Sequence, residues 1–196
     1  DILDLGSGFK TNKILKDINY DSYVGIDLDY DAFLRKNDNL KIRKLLLDFT
    51  QKWDNNKNGV IKNLNQTIGN KKFDTILSIN TIHYAAKRNQ SWDIFIDETT
   101  KRTKQHGQIF INFLDKDMLE KLFCNNDKIN FNSSFVRECS EYMNHDVCSV
   151  WIKIYYEWCH INPLLEPVLS FNTIRESFEK RGWRVISYKY NNLDSD

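Results

Sequence analysis

The stretch Asp4-Leu-Gly-Ser-Gly8 decides the fold class of this 196-residue chain, because two glycines follow a short apolar run and precede a predicted helix, Lys10–Asp17. Glycines at such a junction let the backbone turn sharply, and they bring the amides at the helix start close to a ligand. A tight turn that binds nothing would use the same residues, so the stretch needs a second signal.

The second signal is Val24-Gly-Ile-Asp27, a predicted strand that ends in an acidic residue about twenty positions after the glycines. A carboxylate at this place accepts hydrogen bonds from both hydroxyls of a ribose. Asp29 either shares this role or caps the next predicted helix, Tyr30–Lys36. The two stretches together predict a nucleotide-type cofactor site, and a nicotinamide dehydrogenase would carry both of them.

Apolar runs alternate with helix-like stretches over residues 1–115, which predicts an α/β fold with a parallel sheet covered on both faces. One of the helix-like stretches is Ser91–Gln105, where Trp92, Phe95 and Ile96 share one face. The predicted strands are Ile2–Leu5, Tyr23–Ile26, Ile42–Leu47, Phe73–Ile79 and Ile109–Leu114.

After residue 115 the pattern predicts a helix, two antiparallel strands, and a closing helix and strand. We expect one domain over 1–196, with 1–115 as the cofactor-binding half and 116–196 as the substrate-binding part. The chain begins inside a predicted strand and without Met, so we expect it to belong to a longer polypeptide. The later elements are Lys116–Phe123, Phe135–Tyr142, Ser149–Trp158, Ser170–Arg181 with Gly182 as its cap, and Trp183–Tyr190.

Charge and cysteine content exclude some classes of protein. A formal net charge of +1 argues against wholesale wrapping of a nucleic acid backbone, although a local contact with RNA stays open. Four cysteines without a CxxC pair favour a reduced, intracellular protein. Cys159-His160 lacks a second pair at zinc-ligand spacing, so we expect no metal. No apolar stretch reaches the roughly 18–20 residues of a membrane span.

The order of motifs in the first half resembles class I S-adenosylmethionine-dependent methyltransferases. The glycine stretch and Gly25-Ile-Asp27 are followed by Leu46-Leu-Asp48-Phe and Phe73–Asn80. The resemblance implies a Rossmann-like, mostly parallel seven-stranded sheet with helices on both faces and an antiparallel insert before the last helix and strand. The loop departs from many such loops, because it continues as Phe9-Lys-Thr-Asn12 without a third glycine. The implied cofactor is S-adenosylmethionine, contacted by Asp4, Gly6, Ser7, Gly8, Lys10, Asp27, Leu28, Asp48 and Asn80.

Two later stretches resemble the guanine-N7 methyltransferases of mRNA-capping enzymes, including those of large DNA viruses. Thr81-Ile-His-Tyr-Ala85 follows the fourth strand, and Asn162–Phe171 carries a glutamate between two prolines. The resemblance implies that His83, Tyr84, Glu166 and Tyr190 bind the substrate, the guanine cap of RNA. Glu166 would accept hydrogen bonds from guanine N1–H and the exocyclic amine.

Each substrate residue also has a structural alternative. His83 could be a hydrogen-bonded residue at a helix start, and Tyr84 a core residue. Glu166, directly before Pro167, is expected in a turn, where it could be a solvated carboxylate. The later aromatic residues Trp151, Tyr155, Tyr156 and Trp158 are interpreted mostly as packing, and the basic residues Lys10, Lys13, Arg35 and Lys36 mostly as solvated helix positions.

Guanine N7 is a neutral nucleophile, so its methylation needs orientation rather than a general base, and we predict no catalytic residue. A small-molecule or protein acceptor and an inactive methyltransferase-like capping subunit are the alternatives. A ribose 2′-O-methyltransferase is disfavoured, because we cannot place a Lys-Asp-Lys-Glu set. The implied partners are capped RNA and either guanylyltransferase and triphosphatase domains of the same polypeptide or an activating subunit. The implied location is intracellular, and for a viral protein the host cytoplasm and the virion.

Overall fold

A computed structural model describes residues 1–8, 15, 18–30, 39–87, 89–123, 129–131, 134–141, 150–156 and 164–185. The chain divides into two compact units. The first contains Asp1–Ala85 and Gln90–Phe113, and the second contains Ala86–Asn89 and Leu114–Asp196. Within the described residues, none of the helices combines the length and apolarity that crossing a bilayer requires.

The first unit is built on a five-stranded parallel sheet with the strand order β3-β2-β1-β4-β5. The chain moves outward from β1 in one direction and then returns to its other side, which makes β1 and β4 the point where the strand order reverses. The strands are β1 Ile2–Leu5, β2 Tyr23–Asp27, β3 Ile42–Leu46, β4 Phe73–Ile79 and β5 Thr103–Asn112. The predicted α/β fold with a parallel sheet is thereby confirmed.

Buried apolar residues concentrate in β1, β2 and β4, the inner strands, because a parallel sheet is normally covered on both faces. In the edge strand β5, only Thr103 is buried. All four residues of β1 are buried, including the polar Asp4. Among the described residues, the helices that lie wholly or mostly in this unit are α1 Leu64–Ile68, α2 Ile82–Ala86 and α3 Asn89–Arg102. Trp92, Phe95 and Ile96 of α3 are buried as their shared helical face predicts.

The end of α3 lies earlier than predicted. The helix stops at Arg102 and β5 begins at Thr103, where the sequence pattern favoured helix to Gln105 and strand from Ile109. Pairing of Thr103 with Phe73 of β4 overrides the local helix preference. The Arg102 guanidinium donates to the carbonyls of Gly69 and Lys71 and to the Asn65 side chain, which ties α3 to α1.

The second unit contains a four-stranded antiparallel sheet in the order β6-β7-β8-β9. Two of its strands were predicted, and β6 and β9 were not. The predicted seven-stranded sheet is not found within the described residues, where five parallel strands and this separate sheet stand instead. The predicted strand 183–190 lies mostly outside the described residues. The elements are α4 Lys116–Phe123, β6 Ile129–Phe131, β7 Ser134–Glu141, β8 Val150–Tyr156, β9 Leu164–Val168 and α5 Phe171–Glu179.

Glu166 lies in β9, opposite Ile152 of β8, so its predicted placement in a turn was wrong. The turn was expected because the residue before a proline is disfavoured in a helix. However, β9 is an edge strand of the described sheet, where proline is tolerated. The predicted cap at Gly182 is confirmed, because this glycine has φ +83° and its amide donates to the Glu179 carbonyl at 2.9 Å.

Asp115 joins α4 and α5, the helices described after residue 115. Its buried carboxylate accepts from the amide of Met118 at 3.1 Å, which caps α4, and from the amide of Phe171 at 3.0 Å at the start of α5. We expect Asp115→Ala to lower the free energy of unfolding by about 2–4 kcal/mol, because two partly buried amides lose their acceptor. Asp115→Asn keeps one acceptor oxygen, so it should lower the free energy of unfolding by about half as much. Urea unfolding measures both changes. Equal stability of the three proteins would contradict this role.

Candidate functional site

The glycine stretch forms a left-handed turn at the end of β1. Gly6 has φ +71° and Gly8 has φ +48°, values that residues with a side chain rarely adopt. A Cβ atom on Gly6 would lie 2.3 Å from Cγ2 of Thr81, so this position has no room for any other residue. The turn therefore requires glycine at residue 6 for both backbone and packing reasons.

Three successive amides anchor this glycine turn to β2. The amides of Gly6 and Ser7 donate to the carbonyl of Ile26 at 2.8 and 3.1 Å. The amide of Gly8 donates to the Asp27 carboxylate at 2.6 Å. Because β1 and β2 are parallel, their carboxyl ends lie at the same edge of the sheet, where ligands of such folds bind.

Asp27 is held in one orientation at the end of β2. One carboxylate oxygen accepts from Gly8, and the other accepts from the amide of Asp29 at 2.9 Å. An ionised carboxylate offers about four acceptor positions, so two remain after these contacts, one on each oxygen. This arrangement fits a ribose diol. Leu28, the next residue, is 47% exposed.

Asp48 follows β3 and organises the loop beyond it. Its Oδ1 accepts from the amide and hydroxyl of Thr50 at 2.9 and 2.6 Å, and its Oδ2 accepts from Asn58 Nδ2 at 2.7 Å. Three acceptor positions of this buried carboxylate are thus used within the loop. The contacts give Asp48 a structural role, and the predicted adenine contact would use the remaining position on Oδ2.

The buried side chain of Asn56 completes this loop. Its Nδ2 donates to the Asp48 carbonyl at 2.6 Å, and its Oδ1 accepts from the amides of Asp48 and Gly59 at 3.3 and 2.8 Å. Gly59 passes so close to β3 that a Cβ atom there would lie 2.6 Å from the Leu46 carbonyl oxygen. The loop is therefore held against the strand that it follows.

The end of β4 carries the predicted residues Asn80, His83 and Tyr84. Asn80 has a left-handed backbone with φ +55°, and its amide donates to the Asn112 carbonyl of β5 at 3.0 Å. His83 and Tyr84 lie in α2 with ring centroids 4.2 Å apart, and Tyr84 is 43% exposed. Asparagine is one of the few residues other than glycine that adopt a left-handed backbone readily, so Asn80 suits this turn.

Asp4 is a buried carboxylate that was predicted from its motif, while its partner Tyr23 was not predicted. Tyr23 lies opposite Ile2 in the sheet, and Gly25 lies opposite Asp4. With no side chain at residue 25, the Tyr23 ring extends past it and donates its hydroxyl to Asp4 Oδ2 at 2.5 Å. A glycine inside a buried strand signals such a close approach and could have indicated this contact.

Burial raises the pKa of Asp4 from 3.8 to about 6. The Tyr23 hydrogen bond and Lys44 lower this pKa, and the charge of Asp27 raises it. A carboxyl whose pKa is raised in the folded state holds its proton there more tightly than in the unfolded chain. Stability therefore falls as the pH rises from about 4 to about 6, and the full cost of the charge remains above that range.

We accordingly predict that Asp4→Asn stabilises the protein at about pH 8 by up to about 3 kcal/mol, because each pKa unit corresponds to about 1.4 kcal/mol. The asparagine oxygen can still accept from Tyr23. Urea unfolding should show this gain shrinking to near zero at about pH 4. A gain independent of pH, or a loss at about pH 8, would contradict the assignment. Tyr23→Phe serves as the comparison and should lower stability at the higher pH, because the ionised carboxylate loses its donor.

Of the remaining predicted residues, one belongs to the second unit and the others fall outside the described residues. Glu166 is 6% exposed in β9 of the second unit, so it is not the solvated carboxylate of the structural alternative. Lys10 and Tyr190 lie outside the described residues, as do Lys13, Arg35, Lys36 and the Cys159-His160 pair. Among the described residues, no group of three His, Cys, Asp or Glu side chains could hold a metal ion.

No protein-family model matches the chain, and no curated protein matches its sequence. Solved structures do match. An S-adenosylmethionine-dependent methyltransferase from Clostridium acetobutylicum is 18% identical, with a TM-score of 0.52 over 91% of this chain and 71% of that chain. The glycopeptide N-methyltransferase MtfA, complexed with sinefungin, is 10% identical, with a TM-score of 0.56 over 95% and 76% of the two chains.

A third similar structure is CalS10, an amino pentose methyltransferase from Micromonospora echinaspora with bound S-adenosylmethionine. It is 9% identical, with a TM-score of 0.53 over 92% of this chain and 74% of that chain. These similarities confirm the predicted Rossmann-like fold of class I methyltransferases.

Proposed function

We propose that the chain binds S-adenosylmethionine and transfers its methyl group. The observation that carries this proposal is the Asp27 carboxylate, oriented by the amides of Gly8 and Asp29 beside a turn that requires glycine at residue 6. The two hydroxyls of a ribose need two acceptor positions. Each carboxylate oxygen of Asp27 has one such position left after its contact with a backbone amide. The similar structures complexed with S-adenosylmethionine or sinefungin support the same cofactor.

When bound, the cofactor supplies an electrophilic sulfonium methyl group. The residues of the chain would orient the methyl donor and the methyl acceptor. Gly6, Ser7 and Gly8 allow close approach of the cofactor, Asp27 holds its ribose, and the loop after Asp48 borders its base. Asn80 and α2 lie beyond the end of β4, at the same sheet edge as the glycine turn. This arrangement supports catalysis by proximity and orientation.

We further propose that the acceptor is N7 of a guanine cap on RNA. The support is the order of His83-Tyr84 and Glu166 along the chain and the burial of the Glu166 side chain. A carboxylate taken out of water favours the positive charge that develops on the purine as the methyl group arrives. We assign guanine recognition to Glu166, acceptor contacts to His83 and Tyr84, and a cap contact to Tyr190.

A small-molecule acceptor is the second candidate. It is favoured by the similar structures, which include an amino pentose methyltransferase and a glycopeptide N-methyltransferase. A catalytically inactive subunit is the third. We also propose that the domain works with other capping domains or an activating subunit inside the cell, as the cap assignment implies.

Incubation with labelled S-adenosylmethionine tests these candidates. Methyl transfer to GpppA or capped RNA, with competition by cap analogue, is the expected result. If the chain binds S-adenosylhomocysteine in calorimetry but leaves capped RNA unmodified, the guanine assignment is wrong and a small acceptor is favoured. If it does not bind S-adenosylhomocysteine, the methyltransferase proposal itself is wrong.

A further inference from the structure

Thr81 lies between the glycine turn and the helix that carries His83 and Tyr84. Its side chain is buried, and its hydroxyl donates to the Leu5 carbonyl at 2.8 Å. Leu5 ends β1 and directly precedes Gly6, so this hydrogen bond reaches the base of the glycine turn. The Thr81 hydroxyl also lies 3.0 Å from the Ser78 hydroxyl of β4.

The methyl group of Thr81 makes a second contact with the same turn. It occupies the place that a side chain on residue 6 would take, because a Cβ atom there would lie 2.3 Å from Thr81 Cγ2. On its other side, the Thr81 carbonyl accepts from the Tyr84 amide at 3.0 Å, within the first turn of α2. One residue thus contacts the glycine turn through its side chain and α2 through its backbone.

We infer that Thr81 is a positioning residue that holds α2 in fixed register with the glycine turn. The inference rests on the proposed function, because register matters only if the turn binds the methyl donor and α2 contacts the acceptor. The turn is anchored independently to β2 by the amides of residues 6, 7 and 8. Loss of the Thr81 hydroxyl should therefore disturb the relation between donor and acceptor more than donor binding.

Thr81→Val tests this, with Thr81→Ser as the matched control. Valine keeps the branched shape and removes the hydrogen bond, while serine keeps the hydroxyl. We expect Thr81→Val to lower kcat on capped RNA by about tenfold to 100-fold, since small misplacements are costly in reactions that depend on orientation. The Kd for S-adenosylhomocysteine should change by less than about threefold, and serine should restore kcat to within about threefold of the original protein.

Hydrogen exchange provides a readout that does not depend on the identity of the methyl acceptor. In the original protein and in Thr81→Ser, bound S-adenosylhomocysteine should slow exchange of the Tyr84 amide by about tenfold or more, and in Thr81→Val this protection should be lost. If Thr81→Val fails to fold, Ser78→Ala removes the second partner of the Thr81 hydroxyl, which helps to orient it towards the Leu5 carbonyl, and should weaken the same protection.

The outcomes separate the two proposals. If the original protein does not bind S-adenosylhomocysteine, the proposed function fails. If it binds but its Tyr84 amide gains no protection, or if Thr81→Val keeps both protection and kcat, only the positioning role is overturned.

Discussion

Replacing Asp27 by alanine is expected to weaken the binding of S-adenosylhomocysteine by about 100-fold or more. Two hydrogen bonds from ribose hydroxyls to an ionised acceptor would be lost, each worth about 1.5–3 kcal/mol. The amides of Gly8 and Asp29 would lose their acceptor as well, so the glycine turn would no longer be held in its binding conformation. Calorimetric titration at constant salt measures the change directly.

Asp29→Ala is the matched control for this prediction. It removes an exposed carboxylate two residues away and keeps the amide that donates to Asp27. The Kd should change by less than about threefold, since the main-chain contact persists. The reverse result, with Asp29→Ala weakening binding more than Asp27→Ala, would transfer the ribose role to Asp29, which the sequence left open.

Glu166→Gln is expected to reduce kcat/KM for capped RNA by about 100-fold or more, with the Kd for S-adenosylhomocysteine unchanged. The substitution keeps the size of this buried side chain in β9. It exchanges one acceptor oxygen for a donor, which would then face a guanine donor, and it removes the negative charge opposite the developing purine cation. Losing charged hydrogen bonds of this kind costs about 3 kcal/mol or more for the pair.

Glu176→Gln in α5 is the control, because it removes the same charge from an exposed position of the same unit. Its methylation rate should equal that of the original protein. Guanine recognition by Glu166 is refuted if both variants methylate capped RNA normally. If instead Glu166→Gln loses activity on every acceptor, residue 166 supports the fold rather than guanine selection.

Much of the parallel sheet could be predicted from the sequence, because strands buried on both faces are continuous apolar runs bounded by turn residues. The bounds of β1 and β4 agree with the predicted ones for this reason. Strand β9 was missed because its central residues precede and include a proline, and only its edge position in the sheet makes proline acceptable there.

The candidate site was predictable where a motif places chemistry at a strand end, as at Gly6, Gly8 and Asp27. The contacts of Thr81 and Tyr23 were not predicted. Thr81 reaches Leu5 across 76 positions of sequence, and Tyr23 reaches Asp4 across 19. Such contacts depend on the order of the strands in the sheet, and a local sequence pattern does not predict this order. Gly25 could have indicated the Tyr23 contact, because a glycine in a buried strand leaves space for a neighbouring ring. It was interpreted only as part of a motif.

The side-chain amide of Asn56 bonds to the chain as a backbone amide would, because it both donates to and accepts from the backbone of Asp48. An aspartate there would turn the donor towards Asp48 into a second acceptor, so evolution has little freedom at this residue. The spacing between Asp48, Asn56 and Gly59 is equally constrained, whereas exposed loop positions such as Asp54 and Asn55 are free to drift. In homologous sequences, we therefore expect the composition of this loop to vary more than its length.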